Sequence, residues 1–378
     1  MWQSLHDAWW RLATQHRQQT FSDTLAASLL QLGSVGYRAG VQIRNAAYDQ
    51  GWLKSAKLPC GVVSVGNLTV GGTGKTACVS LIAKTLRSRG RQVAVLSRGY
   101  GGGRDAYWLR WESGRLLVNG QAAGQTDALA DEPQVLAKQL AGIPVIVGAG
   151  REHSGRLACR KFKADALILD DGFQHRRLAR DLDLVLVNAS MPPAGLALLP
   201  RGPMREPMSA LARAQVIMVT KADEKLPTLG ALRECLQMLA PQAVVVTTVH
   251  QPCALTDAPT GVPGDLAELD GRRVGLVSSI GDPDGFESTV RRLHAHILWH
   301  QRFPDHHRFS AADWAAIERR SREAPCELVV TTEKDWMRLR ALHAAHPPPV
   351  AWQLLEIRMR FLDGEAELDA RLAGLRAR

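Results

Sequence analysis

Cysteine is sparse in this 378-residue chain, and the six that occur (Cys60, Cys78, Cys159, Cys235, Cys253 and Cys326) never fall in C-x-x-C spacing. A disulfide framework or a cysteine-based zinc site is therefore not expected, and a reducing cytosol fits best. Long apolar runs are missing as well: Leu25–Val35 is too short to span a bilayer. Trp2, Asp7, Trp9, Trp10 and Arg11 do not make the basic-then-apolar start of a secretory signal. There is no basic low-complexity tail and no internal repeat. The net charge of +10 and the pI near 9.6 are therefore spread over folded structure and call for acidic partners. No nucleic-acid-binding motif is present, which leaves nucleotide or an anionic membrane surface ahead of nucleic acid. Hydrophobic content of 46% and charged content of 22% are those of a soluble globular protein, and the length allows two domains.

What is present begins with a β-branched run, Val62-Val63-Ser64-Val65, that enters Gly66-Asn67-Leu68-Thr69-Val70-Gly71-Gly72-Thr73-Gly74-Lys75-Thr76 and continues into a helix-forming segment. Strand, glycine-rich loop and helix in that order build a phosphate cradle. Backbone N–H groups from Thr69 to Gly74 converge on the β- and γ-phosphates, Lys75 adds a point charge, and the Thr76 hydroxyl can ligate Mg²⁺. The first glycine of the usual G-x-x-x-x-G-K-[ST] pattern is replaced here by Thr69.

Strands and helices then alternate. Strand-like runs are Gly61–Val65, Gln92–Leu96, Pro144–Val147, Ala166–Leu169, Leu182–Val187, Val216–Thr220 and Ala243–Thr247, with helices such as Thr76–Arg89, Asp131–Leu140 and Arg151–Phe162 between them. This pattern predicts an α/β fold of P-loop NTPase type, a mostly parallel sheet with helices on both faces. Tyr107–Val118, turning at Glu112-Ser113-Gly114, predicts an inserted β-hairpin. Gln251–Asp270, rich in Pro, Gly and Asp, reads as a linker to a smaller α/β unit. That unit has strands Arg273–Ser278, Cys326–Thr331 and Pro349–Glu356, and helices Gly285–His296 and Ala311–Arg322. The expected divisions are an N-terminal helical arm 1–57, a phosphate-loop domain 58–250, a linker 251–271, a smaller domain 272–362 and a terminal helix 363–378.

A phosphate loop needs a carboxylate at the end of a neighbouring strand to hold Mg²⁺, directly or through water. Ala166-Leu167-Ile168-Leu169-Asp170-Asp171 supplies two. Asp170-Asp171-Gly172-Phe173-Gln174-His175, taken with the glycine-rich loop, resembles the tetraacyldisaccharide 4′-kinase family, the lipid A 4′-kinases of Gram-negative bacteria. Further pieces agree in order: Ser97-Arg98-Gly99-Tyr100, Asp131-Glu132-Pro133, Leu199 to Pro207, Phe303-Pro304-Asp305-His306-His307 and Thr331-Thr332-Glu333-Lys334-Asp335. The likeness runs from about Tyr37 to about Asp335. Ala130 and Ala77 depart from the family's glycine and proline, while Thr69 is shared with it.

The resemblance implies transfer of the ATP γ-phosphate to the 4′-hydroxyl of an acylated glucosamine disaccharide 1-phosphate. It implies a catalytic pair that maps onto Asp131 and His306, with Asp131 accepting the hydroxyl proton and His306 tuning it. Glu132, Asp170, Asp171 and Glu206 are the carboxylates expected to hold Mg²⁺. His175, Arg201 and Arg205 are candidates for the lipid's phosphate or sugar, and Tyr100 is expected near the site. No obligate protein partner is expected. A substrate with several acyl chains stays in the membrane. The tryptophan-rich arm, with Leu25, Leu29 and Leu32 at helical spacing and Arg38 and Arg44 following, is thus expected to dock peripherally on the cytoplasmic leaflet of the inner membrane.

Two rivals start from other residues. Val219-Thr220-Lys221-Ala222-Asp223 resembles the guanine-selective [N/T]-K-x-D motif, which would suit a GTPase or metallochaperone switch, yet no Cys/His cluster or switch region accompanies it. Lys221 is the residue there that could touch a nucleotide base. A partition-type ATPase would place a lysine just before the two glycines, where Val70 stands.

Overall fold

The computed structural model describes residues 21–99, 106–122, 131–190, 195–222, 226–305, 307–348 and 350–375. Among these, one sheet runs through the molecule. Its first part consists of β1 (Gly61–Asn67), β2 (Val93–Ser97), β6 (Val145–Val147), β7 (Ala166–Asp170), β8 (Leu182–Asn188), β9 (Val216–Thr220) and β10 (Val244–Asp257), in the order β10-β9-β8-β1-β7-β2-β6 with every neighbour parallel. β1 is central and buried at all its positions, which is why its sequence reads as a continuous apolar run rather than an alternating one. Helix α2 (Lys75–Ser88) covers one face, burying Cys78, Val79, Ile82, Ala83 and Leu86 against Val63, Val65 and Ile168. Helix α4 (Arg151–Phe162) covers the other. The expected hairpin is present as β3 (Tyr107–Glu112) and β4 (Arg115–Val118). Positive φ at both Ser113 and Gly114 makes a twist-matched turn, and β3 adds antiparallel to the β6 edge.

The second part, β13 (His296–Arg302), β12 (Arg273–Ser278), β14 (Leu328–Thr331) and β15 (Ala351–Asp363), is also parallel internally. It joins the first through β15, which runs antiparallel to β10 over most of its length. The stretch expected as a linker is therefore strand as far as Asp257, since β15 supplies a full ladder of partners. Pro252, which has no N–H to give, sits where the register shifts between Pro252 and Ala254. Beyond it come only the short β11 (Pro263–Gly264) and a capped 3₁₀ turn. The helix expected at Gly285–His296 is α6 (Pro283–Arg292). Asp282 caps it and Pro283 starts it early, while His294 at φ 62° ends it, so His296 opens β13 instead. Helix α7 (Ala311–Glu323) and α8 (Glu333–Ala345) complete this unit around Trp314 stacked on Trp352 with centroids 5.2 Å apart.

α1 (Phe21–Asp49) lies along the first unit, and α3 (Asp131–Gln139) and α5 (Leu226–Leu239) flank its sheet. Of these, α3 is the helix expected at Asp131–Leu140, while spacing alone does not delimit α1 and α5. The last helix, α9 (Glu365–Ala373), returns to the first unit: Leu368 and Leu372 join the core that contains Ile82 and Leu86.

Candidate active site

The glycine-rich loop leaves the C-terminal end of the central strand, where an open parallel sheet presents ligands. Gly66 has no room for a side chain, since a Cβ there would stand 2.6 Å from the Phe173 Cβ. Asn67 is fully buried and organises the loop from inside: its Nδ2 donates to Thr73 Oγ1 at 2.9 Å and its Oδ1 accepts from Lys75 Nζ at 3.4 Å. One flank is tied by Val70 N donating to Pro203 O (2.8 Å) and Arg205 N to Leu68 O (2.7 Å). On the other, Thr220 Oγ1 donates to Thr73 O at 3.1 Å. Gly71 and Gly74 take φ of 106° and 85°, conformations that glycine alone adopts freely, and Gly74 is the N-cap of α2. Lys75 and Thr76 thus open a helix whose free N–H groups face the loop.

Asp170 ends β7 beside this loop, and Asp171 follows at φ 54°. Their environments differ. Asp170 accepts from Ser97 Oγ at 3.2 Å, and its backbone carbonyl accepts from buried Arg151 at 3.2 Å. Burial, with the charges of Glu132 and Asp171, pushes its carboxyl up to about 6. Burial would raise Asp171 as well, but Lys75 at 3.7 Å and Arg205 at 2.8 Å outweigh it and hold the carboxyl below its usual range. Among the described residues, no three His, Cys, Asp or Glu side chains stand at metal-holding geometry.

The second unit reaches this site at several points. Lys334, in the first turn of α8, lies 3.3 Å from Glu132 Oε1 and 3.4 Å from Asp305 Oδ1. Glu333 accepts from Gln139 Nε2 at 2.7 Å, so the same turn also holds the far end of α3. Lys221, at the end of β9, is ion-paired with Asp282. Gly281 stands against the loop itself: a Cβ there would be 3.3 Å from Gly72 N.

The other expected residues divide. His175 packs near the site with its imidazole held neutral: burial, then the charges of Arg151, Arg180, Arg177 and Arg98, bring its pKa down to about 4. Arg205 is bound to Asp171, and the Arg201 backbone N–H donates to Ser34 Oγ of α1 at 2.9 Å. Glu206, expected beside a metal, is instead wholly buried in a charge network. Its Oε2 accepts from Arg213 Nη1 (2.9 Å) and Asn45 Nδ2 (2.8 Å), and Arg213 Nη2 and Arg44 reach its other oxygen. Three cationic or donor groups surround the carboxylate, and through Asn45 and Arg44 it anchors α1 to the body. Tyr100, His306 and the side chain of Asp131 lie outside the described residues. Asn67, Ser97 and Arg151 went unassigned in the sequence because buried hydrogen-bonding roles leave no spacing signal. Lys334 stood inside a recognised motif without a role.

Comparison with known proteins gives a consistent picture. The family profile for Tetraacyldisaccharide-1-P 4′-kinase, LpxK, matches residues 26–376. The Tetraacyldisaccharide 4′-kinase of Anaeromyxobacter dehalogenans (strain 2CP-C) is 42% identical over 372 residues, covering 98% of this chain and 94% of that protein. The one from Syntrophus aciditrophicus (strain SB) is 41% identical over 342 residues, covering 88% and 89%. The crystal structure of LpxK from Aquifex aeolicus in complex with ATP superposes with a TM-score of 0.69 at 27% identity, covering 93% of this chain and 99% of that one. The match extends the likeness read from the motifs at both ends.

Proposed function

The chain belongs to the tetraacyldisaccharide-1-P 4′-kinase family, and from that premise we propose how its residues divide the work. It is a lipid kinase of lipid A biosynthesis that uses ATP to phosphorylate the 4′-hydroxyl of tetraacyldisaccharide 1-phosphate. This membership also weakens the nucleotide-switch reading of the Val219–Asp223 motif. Phosphoryl transfer asks of a protein chiefly positioning and charge neutralisation. The loop from Thr69 to Thr76 cradles the ATP phosphates, with backbone N–H groups and the Lys75 ammonium facing them. The observation that carries this assignment is the internal bracing of the loop by Asn67 on Thr73 and Lys75.

Asp131 takes the proton from the attacking hydroxyl and His306 tunes it, as the motif context implies. His175, Arg205, Arg201 and Tyr100 serve the phosphorylated sugar, with His175 acting as a neutral imidazole. Mg²⁺ fits the donor set. Asp170 is a buried carboxylate crowded by Glu132 and Asp171, a charge that a hard dication relieves. The ion would be held by Asp170 and the Thr76 hydroxyl, with Glu132 and Asp171 nearby. So few protein ligands is usual for Mg²⁺, which keeps water and substrate phosphates in its shell. Bound there, it would neutralise phosphate charge.

The two units, 58–250 and 272–362, contribute opposite walls of the site. Among the described residues no helix is long and apolar enough to cross a membrane. One side of α1 is pinned to the body through Ser34, Tyr37 and Asn45. Leu29, Leu32, Val35 and Ile43 on α1 are exposed, as are Trp52 just beyond it and the nearby basic residues Arg38, Lys54 and Lys57. This supports peripheral docking on the cytoplasmic leaflet of the inner membrane.

The direct test supplies purified protein with labelled ATP, Mg²⁺ and the lipid A disaccharide 1-phosphate in detergent. Labelled lipid is the expected product. None, under conditions where ATP binding is verified, would overturn the reading.

A further inference from the structure

Lys334 joins two carboxylates that belong to different units. Glu132 opens α3 in the first unit directly after Asp131, and Asp305 precedes His306 in the second. Without a cation between them, these two like charges would repel across the interface. The Lys334 ammonium, 3.3 Å from one and 3.4 Å from the other, turns that repulsion into attraction.

The turn that carries Lys334 is itself rigid. Thr332 caps α8: its Oγ1 accepts from Asp335 N at 3.1 Å and donates to Asp335 Oδ2 at 2.7 Å. Asp335 is fully buried and also accepts from Ser279 Oγ at 2.6 Å. Between these anchored neighbours the backbone of Lys334 has little freedom. Glu333, one residue earlier, receives Gln139 from the last turn of α3 and lies 3.7 Å from Lys138. The first turn of α8 therefore grips α3 at both ends, with Lys334 at the end that bears the proposed base.

All three charged groups are partly exposed, at 24% for Lys334, 36% for Glu132 and 33% for Asp305. Ion pairs so placed add little to folding stability. Their value lies in geometry, because a displacement of about 1 Å at a reacting group costs on the order of 100-fold in rate.

We propose that Lys334 is a positioning residue for phosphoryl transfer, its ammonium bridging Glu132 and Asp305 so that the two units meet with the Asp131 end of α3 in register. This rests on the assignment of Asp131 as base, and the test separates the two. Lys334→Met, Lys334→Arg, Asp131→Asn and the double variant Lys334→Met/Asp131→Asn are assayed for kcat, for KM of ATP and of lipid, and for thermal midpoint. Lys334→Met should lose roughly 10- to 100-fold in kcat, with both KM values within about 3-fold and the midpoint nearly unchanged. Lys334→Arg should recover most of the loss, since a guanidinium can still bridge two carboxylates. On the Asp131→Asn background Lys334→Met should cost less than about 3-fold more, because a residue acting through Asp131 has nothing left to position.

Full turnover in Lys334→Met, beside an inactive Asp131→Asn, would overturn the proposal alone. So would a rise confined to KM for lipid, which would make Lys334 a substrate contact, or a fully multiplicative loss in the double variant. Retained turnover in Asp131→Asn would sink the base assignment and this inference with it. Should Lys334→Met not fold, Lys334→Gln carries the same comparison.

Discussion

Arg205 Nη1 lies 2.8 Å from both carboxylate oxygens of Asp171, while Lys75 stays 3.7 Å from the same group. Asp171 thus has two cationic suitors, and the arginine is the nearer. By satisfying Asp171, Arg205 leaves the Lys75 ammonium available to phosphate. Arg205→Ala should let Lys75 close on Asp171 and so raise KM for ATP by about 10-fold, a loss typical of one charge-assisted contact. Arg205→Lys should fall between, since it keeps the charge but loses the planar guanidinium that fixes where that charge sits. ATP saturation kinetics at fixed lipid decide it. A change seen only in KM for lipid would leave Arg205 as a substrate contact alone, without this hold on Asp171.

Asp170 predicts an unusual pH response. Its carboxyl titrates near 6 in the folded protein against 3.8 as a free side chain. The fold therefore prefers the protonated form: this favourable contribution is complete below about pH 3.8 and is lost as pH rises through about 6. At pH 7.5 the buried charge costs the metal-free fold about 2–3 kcal/mol. Asp170→Asn, in the presence of chelator, should raise the thermal midpoint by roughly 3 °C at pH 7.5 and by almost nothing near pH 4. The same variant should lose kinase activity. Equal midpoints at pH 7.5 would remove the electrostatic account of this carboxylate.

Neutralising Glu206 should lower stability rather than raise it. It is wholly buried, and its oxygens hold Arg213, Asn45 and Arg44. Arg213 is also stacked 4.3 Å from the Phe173 ring centroid, next to the Asp170–Asp171 turn. Glu206→Gln leaves two arginines without a counter-charge, and breaking a buried pair costs on the order of 3–5 kcal/mol. Urea unfolding should record that loss at neutral pH, while the Mg²⁺ dependence of residual activity stays as in the parent. A shifted Mg²⁺ requirement without a stability loss would restore Glu206 as a metal ligand.

The contrast between Asp170 and Glu206 explains what the sequence could and could not reveal. Asp170 follows an apolar strand next to a glycine-rich loop, and in a parallel sheet that order alone brings strand ends together. Glu206 lies in an irregular segment, where no period states which way a side chain points. Its partners Asn45 and Arg44 come from a helix far away in sequence. The strands of the first unit were legible because burial on both faces leaves continuous apolar runs. The extension of β10 was not, because Pro and Asp mark loops until a partner such as β15 supplies a ladder. Lys334 illustrates the same limit: its meaning lies in two carboxylates some 30 and 200 residues away.

The exposed side of α1 leads to the last prediction. Leu29 is 63% exposed, Leu32 72% and Ile43 70%, on a helix whose other side is fastened by Ser34, Tyr37 and Asn45. A row of large apolar side chains left in water on a firmly held helix needs an apolar partner. A bilayer interface suits it, because Arg38 and Lys54 lie close by in the chain and the proposed peripheral docking would bring a polyacylated substrate within reach. Fully burying one such side chain is worth roughly 1.5–3 kcal/mol, so three removed together should weaken vesicle binding by at least 10-fold even if insertion is partial. The triple variant Leu29→Ser, Leu32→Ser, Ile43→Ser should stay in the supernatant when sedimented with anionic vesicles that pellet the parent. Because these side chains do not touch the glycine-rich loop, ATP affinity should be unchanged, and so should turnover on lipid dispersed in detergent. Unaltered sedimentation would mean that α1 meets something other than the membrane, whereas a fall in ATP affinity would mean that its role is to support the site.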